Sequence, residues 1–239
     1  MTLEDDPADE ELTPPSAKRV AARALVMSAV TCRAFIESDA GKADQFWSGA
    51  LRWLDDLDIS DEVEPWERQV LDTPLGQLDR KRRIDAQWLC EGLAVIAWAL
   101  GRHVLPPYDV QVTATKVANN LGFLAPIDKT VLHEPALCPY AAVLAVRESV
   151  FSLHWRLRQF KHNPEKMNFA DFSKTAWFGP LSLDGLRLME NDLAIGDQTI
   201  SQARLEDVSV VLSAAQERHR AINWLAGEST IYSETETNT

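Results

Sequence analysis

Apolar residues recur along most of the chain at alternating steps of three and four, the spacing that gathers them on one face of an α-helix. Between Ala17 and Glu37 the set is Val20, Ala24, Met27, Val30 and Ala34. Between Lys42 and Leu57 it is Phe46, Ala50, Trp53 and Leu57, and the acidic run from Asp55 to Glu62 then marks a solvated connection. Ser60 is placed to cap a short helix with Pro65 in its first turn and Trp66 and Leu71 facing inward. A long helix is predicted from Leu78 to Arg102, stopped by Leu105-Pro106-Pro107. Asp109 is placed to begin another, with Val110, Ala114, Val117 and Leu121 inward and Gly122 at its end. Three prolines and little period make residues 123–139 a loop. The strongest pattern begins at Tyr140, with Val143, Val146, Val150, Leu153, Leu157 and Phe160, and closes at His162-Asn163-Pro164.

The pattern then changes. A short helix over Phe169–Trp177 is followed by two brief apolar runs around Glu190-Asn191-Asp192, which predict a hairpin near 186–199. Ser201 precedes a last long helix that turns Leu205, Val208, Leu212, Ala215, His219 and Ile222 to one side and stops at Gly227. The expected fold is mainly α: a single helical domain over residues 18–228, of about six to seven helices, with a small β-hairpin before the last long one.

Composition alters this picture only at the ends. The net charge of −12 looks like a statement about partners until it is localised. Residues 1–17 hold six acids and no base, residues 228–239 hold three acids and no base, and the remaining body carries 27 acids against 24 bases. The segments 1–17 and 229–239 therefore read as disordered acidic tails around a nearly balanced body. No run approaches the ~18 apolar residues of a membrane span, and the acidic start is unlike a secretory signal, so the expected setting is cytoplasmic, with no membrane partner. Cys32, Cys90 and Cys138 sit among apolar neighbours, which suits reduced core thiols rather than a metal site.

One residue raises a chemical question. Glu91 shares a helical stripe with Ile84, Trp88, Val95 and Trp98, a face expected to be buried. A carboxylate removed from water needs a cation and hydrogen bonds, and Arg147, Arg156, Arg158 and Arg218 are the available partners. The reading this favours is a structural ion pair; the alternative makes Glu91 a general acid or base with a raised pKa. His154 lies on a polar seam with Arg147, Phe151 and Arg158, and His219 lies within the apolar stripe of the last helix beside Glu217 and Arg218. The candidate polar cluster is thus Glu91, Arg147, Glu148, His154, Arg156, Glu217, Arg218 and His219. Helical bundles build metal sites from Glu-x-x-His pairs, and neither histidine has a glutamate three residues before it, so no metal and no cofactor are expected. The basic run Arg80-Lys81-Arg82-Arg83 has no aromatic platform beside it; it reads as a solvated face answering the acids of Asp55–Glu62, and nucleic acid is not an expected partner. There is no Gly-rich phosphate loop, no nucleophile elbow, no H-E-x-x-H and no paired C-x-x-C, so no catalytic residue is assigned.

The order of motifs resembles a bacterial family, domain of unknown function 4272. The resemblance rests on Trp88-Leu89-Cys90-Glu91, on Ala97-Trp98-Ala99-Leu100-Gly101 with Leu105-Pro106-Pro107, and on Arg147-Glu148-Ser149 with His154-Trp155-Arg156. It continues through the hairpin's Asn191 to Gly196, and is most specific from Glu217 to Leu225 with Gly227, spanning about residues 18–228. This chain has Leu89 where the family often has arginine, and a Ser/Thr/Glu-rich end where the family often has tryptophan and aspartate. The resemblance implies a prokaryotic, cytoplasmic setting and the helical fold, and it implies that Glu91, Arg147, Glu217 and Arg218 meet in one polar knot between three long helices. It supplies no activity.

Two functions follow as expectations. The first is a non-catalytic protein-interaction module, an adaptor or immunity-type inhibitor that uses a helical face, and an acidic tail against a basic partner. The second is a hydrolase built on the Glu/Arg/His site. Water-accessible His154 or His219 in an open pocket would favour the hydrolase; a sealed knot would leave the outer surface to act.

Overall fold

Ser16 starts the first helix by accepting the Arg19 amide on its side chain. In the computed structural model residues 13–239 are described, the side chains of 39–42 apart. Helix α1 (Ala17–Ile36) is followed by α2 (Ala40–Asp56), α3 (Pro65–Asp72), α4 (Arg80–Ala99), α5 (Ala114–Asn120), α6 (Tyr140–His162) and α7 (Phe169–Thr175). Strands β1 (Leu188–Met189), β2 (Asp192–Ile195) and β3 (Gln198–Thr199) form a small antiparallel sheet before α8 (Leu205–Ala226). Among the described residues the fold is therefore mainly α, with eight α-helices and the sheet before the last long one.

The long helices lie side by side: α1 packs on α4, α4 on α8, and α8 on α6. Alanines allow this closeness. Ala21 and Ala24 on α1, Ala94 and Ala97 on α4, and Ala221 on α8 are buried without residue, and a methyl side chain keeps neighbouring backbones near one another. Helix α8 joins two cores. Ala221 to Ala226 belong to the larger, built on α1, α2 and α4, whereas Val208 to Ala215 belong to a smaller one with Leu153, Leu157, Phe160, Phe169, Leu193 and Ile195.

Several boundaries differ from the sequence expectation, each for a local reason. Ser60 opens a 3-10 turn, and Glu64 caps α3 through a reciprocal box with Glu67, because Pro65 fixes the first helical position one residue later. Helix α2 and the residue after it bury the expected Ala50 and Leu57 but take in Trp47 and Leu54 beside them, leaving Phe46 46% exposed and Trp53 only part-buried; Phe46 and Trp47 each head a helical stripe, and the larger ring is the one taken in. Asp109 caps nothing, because its carboxylate accepts from Arg187 Nη2 (2.5 Å) and the Gly196 amide (2.9 Å); α5 begins only at Ala114. Helix α8 starts after Arg204 rather than at Ser201, with Glu206 and Asp207 at its positive end.

The hairpin turn is as its sequence demands. Glu190 and Asn191 both have positive φ (49° and 66°), the left-handed pair that suits the strand twist between Met189 and Asp192. The chain's end is not as expected. Gly227 ends α8 with φ 93°, and a Cβ there would collide with the backbone of Thr13 and Pro14, so the start of the described chain lies against the end of α8. Residues 229–239, expected as a free tail, run back over the body. Ser233 N donates to Glu64 (3.2 Å), Asn223 Nδ2 to the Glu236 carbonyl (3.0 Å) and Arg158 Nη1 to Thr239 Oγ1 (3.1 Å). Tyr232 is the anchor, 1% exposed, and its hydroxyl occupies space that a side chain at residue 92 would need. Composition hid this because only Tyr232, seated over Gly92, and Thr235 are buried in the segment, too few to mark it as packed. Of the N-terminal acidic segment, residues 1–12 lie outside the described residues.

Candidate functional site

Glu91 is wholly buried and its partner is Arg218. Arg218 Nε (3.0 Å) and Nη2 (2.7 Å) donate to Glu91 Oε2, and the Val112 amide donates to Oε1 (3.0 Å). Arg218 also donates to the carbonyls of Pro107 (3.3 Å) and Val110 (2.8 Å). The Pro-Pro segment that stops α4 thus folds back over the pair. Every nitrogen of the guanidinium and both oxygens of the carboxylate are in use, which makes this a structural clamp between α4, α8 and residues 107–112.

The other predicted residues do not join it. Arg156 and Asp192 form a second clamp, both fully buried, with Nε–Oδ1 2.8 Å and Nη2–Oδ2 2.6 Å. The Met167 (3.1 Å) and Leu193 (2.8 Å) amides complete the aspartate, so the pair ties the hairpin to α6. Arg147 lies half-buried, donating to Asn223 Oδ1 (3.1 Å) and pairing with Glu228, where it holds the returning C-terminal segment. Glu148 is exposed. The single knot between three helices resolves into separate pairs, because consecutive residues on α8 point to different neighbours: Glu217 toward Tyr232, Arg218 toward α4 and His219 toward α6.

His154 and His219 do meet. Their Nδ1 atoms are 2.9 Å apart and the rings cross edge to face at 5.2 Å and 85°. One ring must donate and the other accept, which requires at least one neutral imidazole. Burial, reinforced by Arg158, pushes His154 down to about 4. Burial, reinforced by His154, Arg147 and Arg158, pushes His219 down to about 3. Both rings are therefore neutral near pH 7. Cavities of about 340 Å³ and 400 Å³ have His219 and His154, respectively, in their walls, yet these residues are only 1% and 2% exposed. The buried Ser152 hydroxyl, which shares a cavity wall with His219, donates to the Glu148 carbonyl (2.9 Å) rather than to either ring. No nucleophile–base hydrogen bond forms here among the described residues, and no group of histidine, cysteine and carboxylate side chains there can hold a metal.

Glu217 behaves differently. Its Oε1 accepts from Arg220 Nη1 (2.6 Å), while Oε2 is buried without a hydrogen-bond partner among the described residues. Burial raises its pKa, opposed by Arg220 and reinforced by Asp85 and Glu91. It lines a cavity of about 540 Å³, bounded also by Trp66 on α3, Asp85 and Trp88 on α4, Arg220, and Tyr232 of the C-terminal segment.

Sequence reasoning missed several groups. Arg23 and Glu67 form a buried pair between α1 and α3. Burial works against the charge on Arg23, and Glu67, Glu64 and Glu62 outweigh it, holding the guanidinium above its ordinary pKa. Arg33 and Glu37 pair at 2.5 Å, with the Gly76 and Leu78 amides also on the carboxylate; their four-residue spacing on a predicted helix was the available signal. The basic run is answered locally, Lys81 by Asp85 and Arg82 by Asp79, not by the Asp55–Glu62 acids. Cys32 and Cys90 are free, and burial pushes them up to about 11 and about 12, which makes them inert thiols.

An aromatic train also escaped notice. From His219 it passes to Phe151 (5.9 Å), Phe178 (6.3 Å) and Trp177 (5.3 Å), with Trp155 stacked on Phe172 (4.6 Å) beside it. Trp177 ends it in solvent, 92% exposed.

No helix among the described residues is long and apolar enough to cross a membrane. Compared with known families, residues 4–170 match the model of a domain of unknown function, DUF4272. The match includes the Trp88–Glu91 and Arg147–Arg156 blocks and stops before the hairpin and the Glu217–Gly227 block. No curated protein and no solved structure matches the chain.

Proposed function

The chain belongs to the DUF4272 family, a membership that carries no activity, and from its geometry we propose that it is a non-catalytic protein-interaction module, an adaptor or immunity-type inhibitor. The observation that carries this reading is Trp177, 92% exposed at the end of a continuous aromatic train. An indole in water gains nothing for folding, whereas tryptophans on firm apolar footings are prominent among residues that anchor protein partners. Phe178, itself 37% exposed, and the Trp155–Phe172 stack provide that footing. The partner this surface fits is a protein that offers an apolar socket for the indole.

The hydrolase alternative draws little support from the polar residues once expected to carry it. Glu91, Arg156 and Arg218 are committed to buried pairs, and the two histidines to each other. A cytoplasmic, bacterial setting belongs to the same proposal; the three free cysteines, Cys32, Cys90 and Cys138, agree with a reducing compartment.

Affinity capture with three forms of the chain tests the proposal. Wild type and Trp177→Phe are expected to retain the same protein, and Trp177→Ser to lose it while keeping the wild-type circular dichroism. Retention by Trp177→Ser would move the interface elsewhere. Turnover on an ester, amide or phosphate screen that disappears in a folded His219→Gln variant would replace the binding reading with the hydrolase.

A further inference from the structure

We propose that the cavity between α3, α4, α8 and the C-terminal segment is a binding site for an organic ammonium ion, with Glu217 as its anion and Trp66 and Trp88 as its apolar walls. The site is independent of the Trp177 surface.

Size is the first argument. The cavity measures about 540 Å³, within the roughly 300–1,000 Å³ that small-molecule sites occupy. Its walls come from three separate parts of the chain, and the fourth side is closed by Tyr232, seated against Gly92. Trp66 is held in place by the hydrogen bond from its Nε1 to Glu64 Oε2 (3.2 Å).

Charge selects the ligand. Two carboxylates, Asp85 and Glu217, face one guanidinium, Arg220, which already donates to Glu217 Oε1. An anion would meet the surplus acid. An ammonium group brings three donors and no acceptor, and Glu217 Oε2 is a buried acceptor with no partner among the described residues. A buried, half-satisfied carboxylate is costly by itself and is relieved by a charge-assisted hydrogen bond. Asp85, half exposed in the cavity wall, is tied among the described residues only to the freely exposed Lys81, so it adds attraction without closing the cavity. Indole walls favour a cation over a neutral group of the same shape, and Ile84 and Leu89 give an alkyl or aryl stem somewhere to lie. A bare metal ion fits less well, since no metal-holding group of side chains exists among the described residues.

Isothermal titration calorimetry of the full chain decides the matter, using phenethylammonium and 1,6-diaminohexane against 2-phenylethanol and hexanoate. Saturable binding of the ammonium probes is expected, about tenfold or more tighter than the neutral probe. Glu217→Gln should remove that preference, and Trp88→Ala should weaken the ammonium probes by about tenfold. Asp85→Asn, at an exposed position that leaves folding intact, should weaken them by about threefold. Trp177→Ser should bind as wild type does, which separates this site from the protein-binding surface. A capped lysine peptide bound as tightly as the free amine would identify the natural ligand as a side chain of another protein, and binding confined to the free amines would identify a small molecule. Equal affinity for neutral and cationic probes, absence of saturation by either amine, or indifference to both Glu217→Gln and Asp85→Asn would overturn the proposal.

Discussion

Glu91 and Glu217 are both acids on long helices, both wholly or largely removed from water, and both paired with an arginine of α8, yet their surroundings differ in kind. Around Glu91 each oxygen has a donor and each nitrogen of Arg218 has an acceptor. Around Glu217, among the described residues, one oxygen is matched and the other is not, Arg220 Nε is likewise unmatched, and a cavity adjoins them. A closed network of this sort fixes geometry and leaves nothing for a ligand to gain. An incomplete one has an affinity still to express. Burial and charge alone do not separate these two cases; the count of satisfied lone pairs does.

The comparison is tested hardest by the same substitution at both positions. Glu91→Gln is expected to cost about 3–5 kcal/mol, because Arg218 is left buried without its counter-ion. Glu217→Gln should change stability by less than about 1 kcal/mol, since the glutamine carbonyl can still accept from Arg220 Nη1 and Arg220, unlike Arg218, keeps part of its surface in water. Urea midpoints measure both. Adding Arg218→Met to Glu91→Gln should recover part of the loss, and additive losses would show that Glu91 answers to some other cation.

A second contrast concerns the histidines, which are buried like Glu91 but neutral. Their folded pKa values, about 4 for His154 and about 3 for His219, lie below the ordinary imidazole value. As pH falls below about 6.5 the unfolded chain takes up protons that the folded chain does not, so the unfolded state gains. The stabilisation is complete above that pH and is lost progressively toward the folded values. Between pH 7 and 5.5 the two rings together should cost about 2–3 kcal/mol of stability. A folded His154→Gln/His219→Gln variant should show a shallower decline by that amount, the carboxylate contributions being common to both proteins. Equal slopes would mean that the rings are solvated.

Helices with an unbroken three-and-four pattern were readable from sequence: α1, α4, α6 and α8 appear where Val20–Ala34, the Glu91 segment, Val143–Phe160 and Val208–Ile222 place them. The hairpin was readable from Glu190-Asn191, and β3 was not, because a two-residue strand has no pattern of its own. Helix starts set by a remote partner were hidden, as at Asp109, which Arg187 and Gly196 claim. For the candidate site, Glu91 is buried as expected, but its stripe is buried only from Glu91 onward, with Ile84 exposed and Trp88 and Trp98 part-buried, and which of four arginines met it depends on helix rotation. Glu217, Trp66, Trp88 and Tyr232 come from four distant stretches, so no spacing announced their cavity.

The C-terminal segment offers a smaller test. Gly92→Ala would put a methyl group against the Tyr232 hydroxyl and near the Glu217 carbonyl. Overpacking of this kind costs about 1–3 kcal/mol. Release of Tyr232 should also make residues 228–239 the first site of proteolysis, whereas wild type should resist cleavage there. Unchanged protease resistance in a destabilised Gly92→Ala protein would show that α4 yields instead of the segment.

The smallest effect is also the most specific. Tyr232 is 1% exposed and its hydroxyl has no hydrogen-bond partner among the described residues; burial, with Glu217 nearby, raises its pKa, so it stays protonated. Leaving a hydroxyl buried and unpaired is unfavourable, so Tyr232→Phe should be neutral or stabilising by up to about 1 kcal/mol. The same change removes the atom that a side chain at residue 92 would strike. Tyr232→Phe should therefore rescue most of the Gly92→Ala loss, giving a coupling of about 1 kcal/mol in a double-mutant cycle. A clear loss of stability in Tyr232→Phe alone would mean that the hydroxyl is satisfied in solution, and it would move this residue from the incomplete network to the closed one.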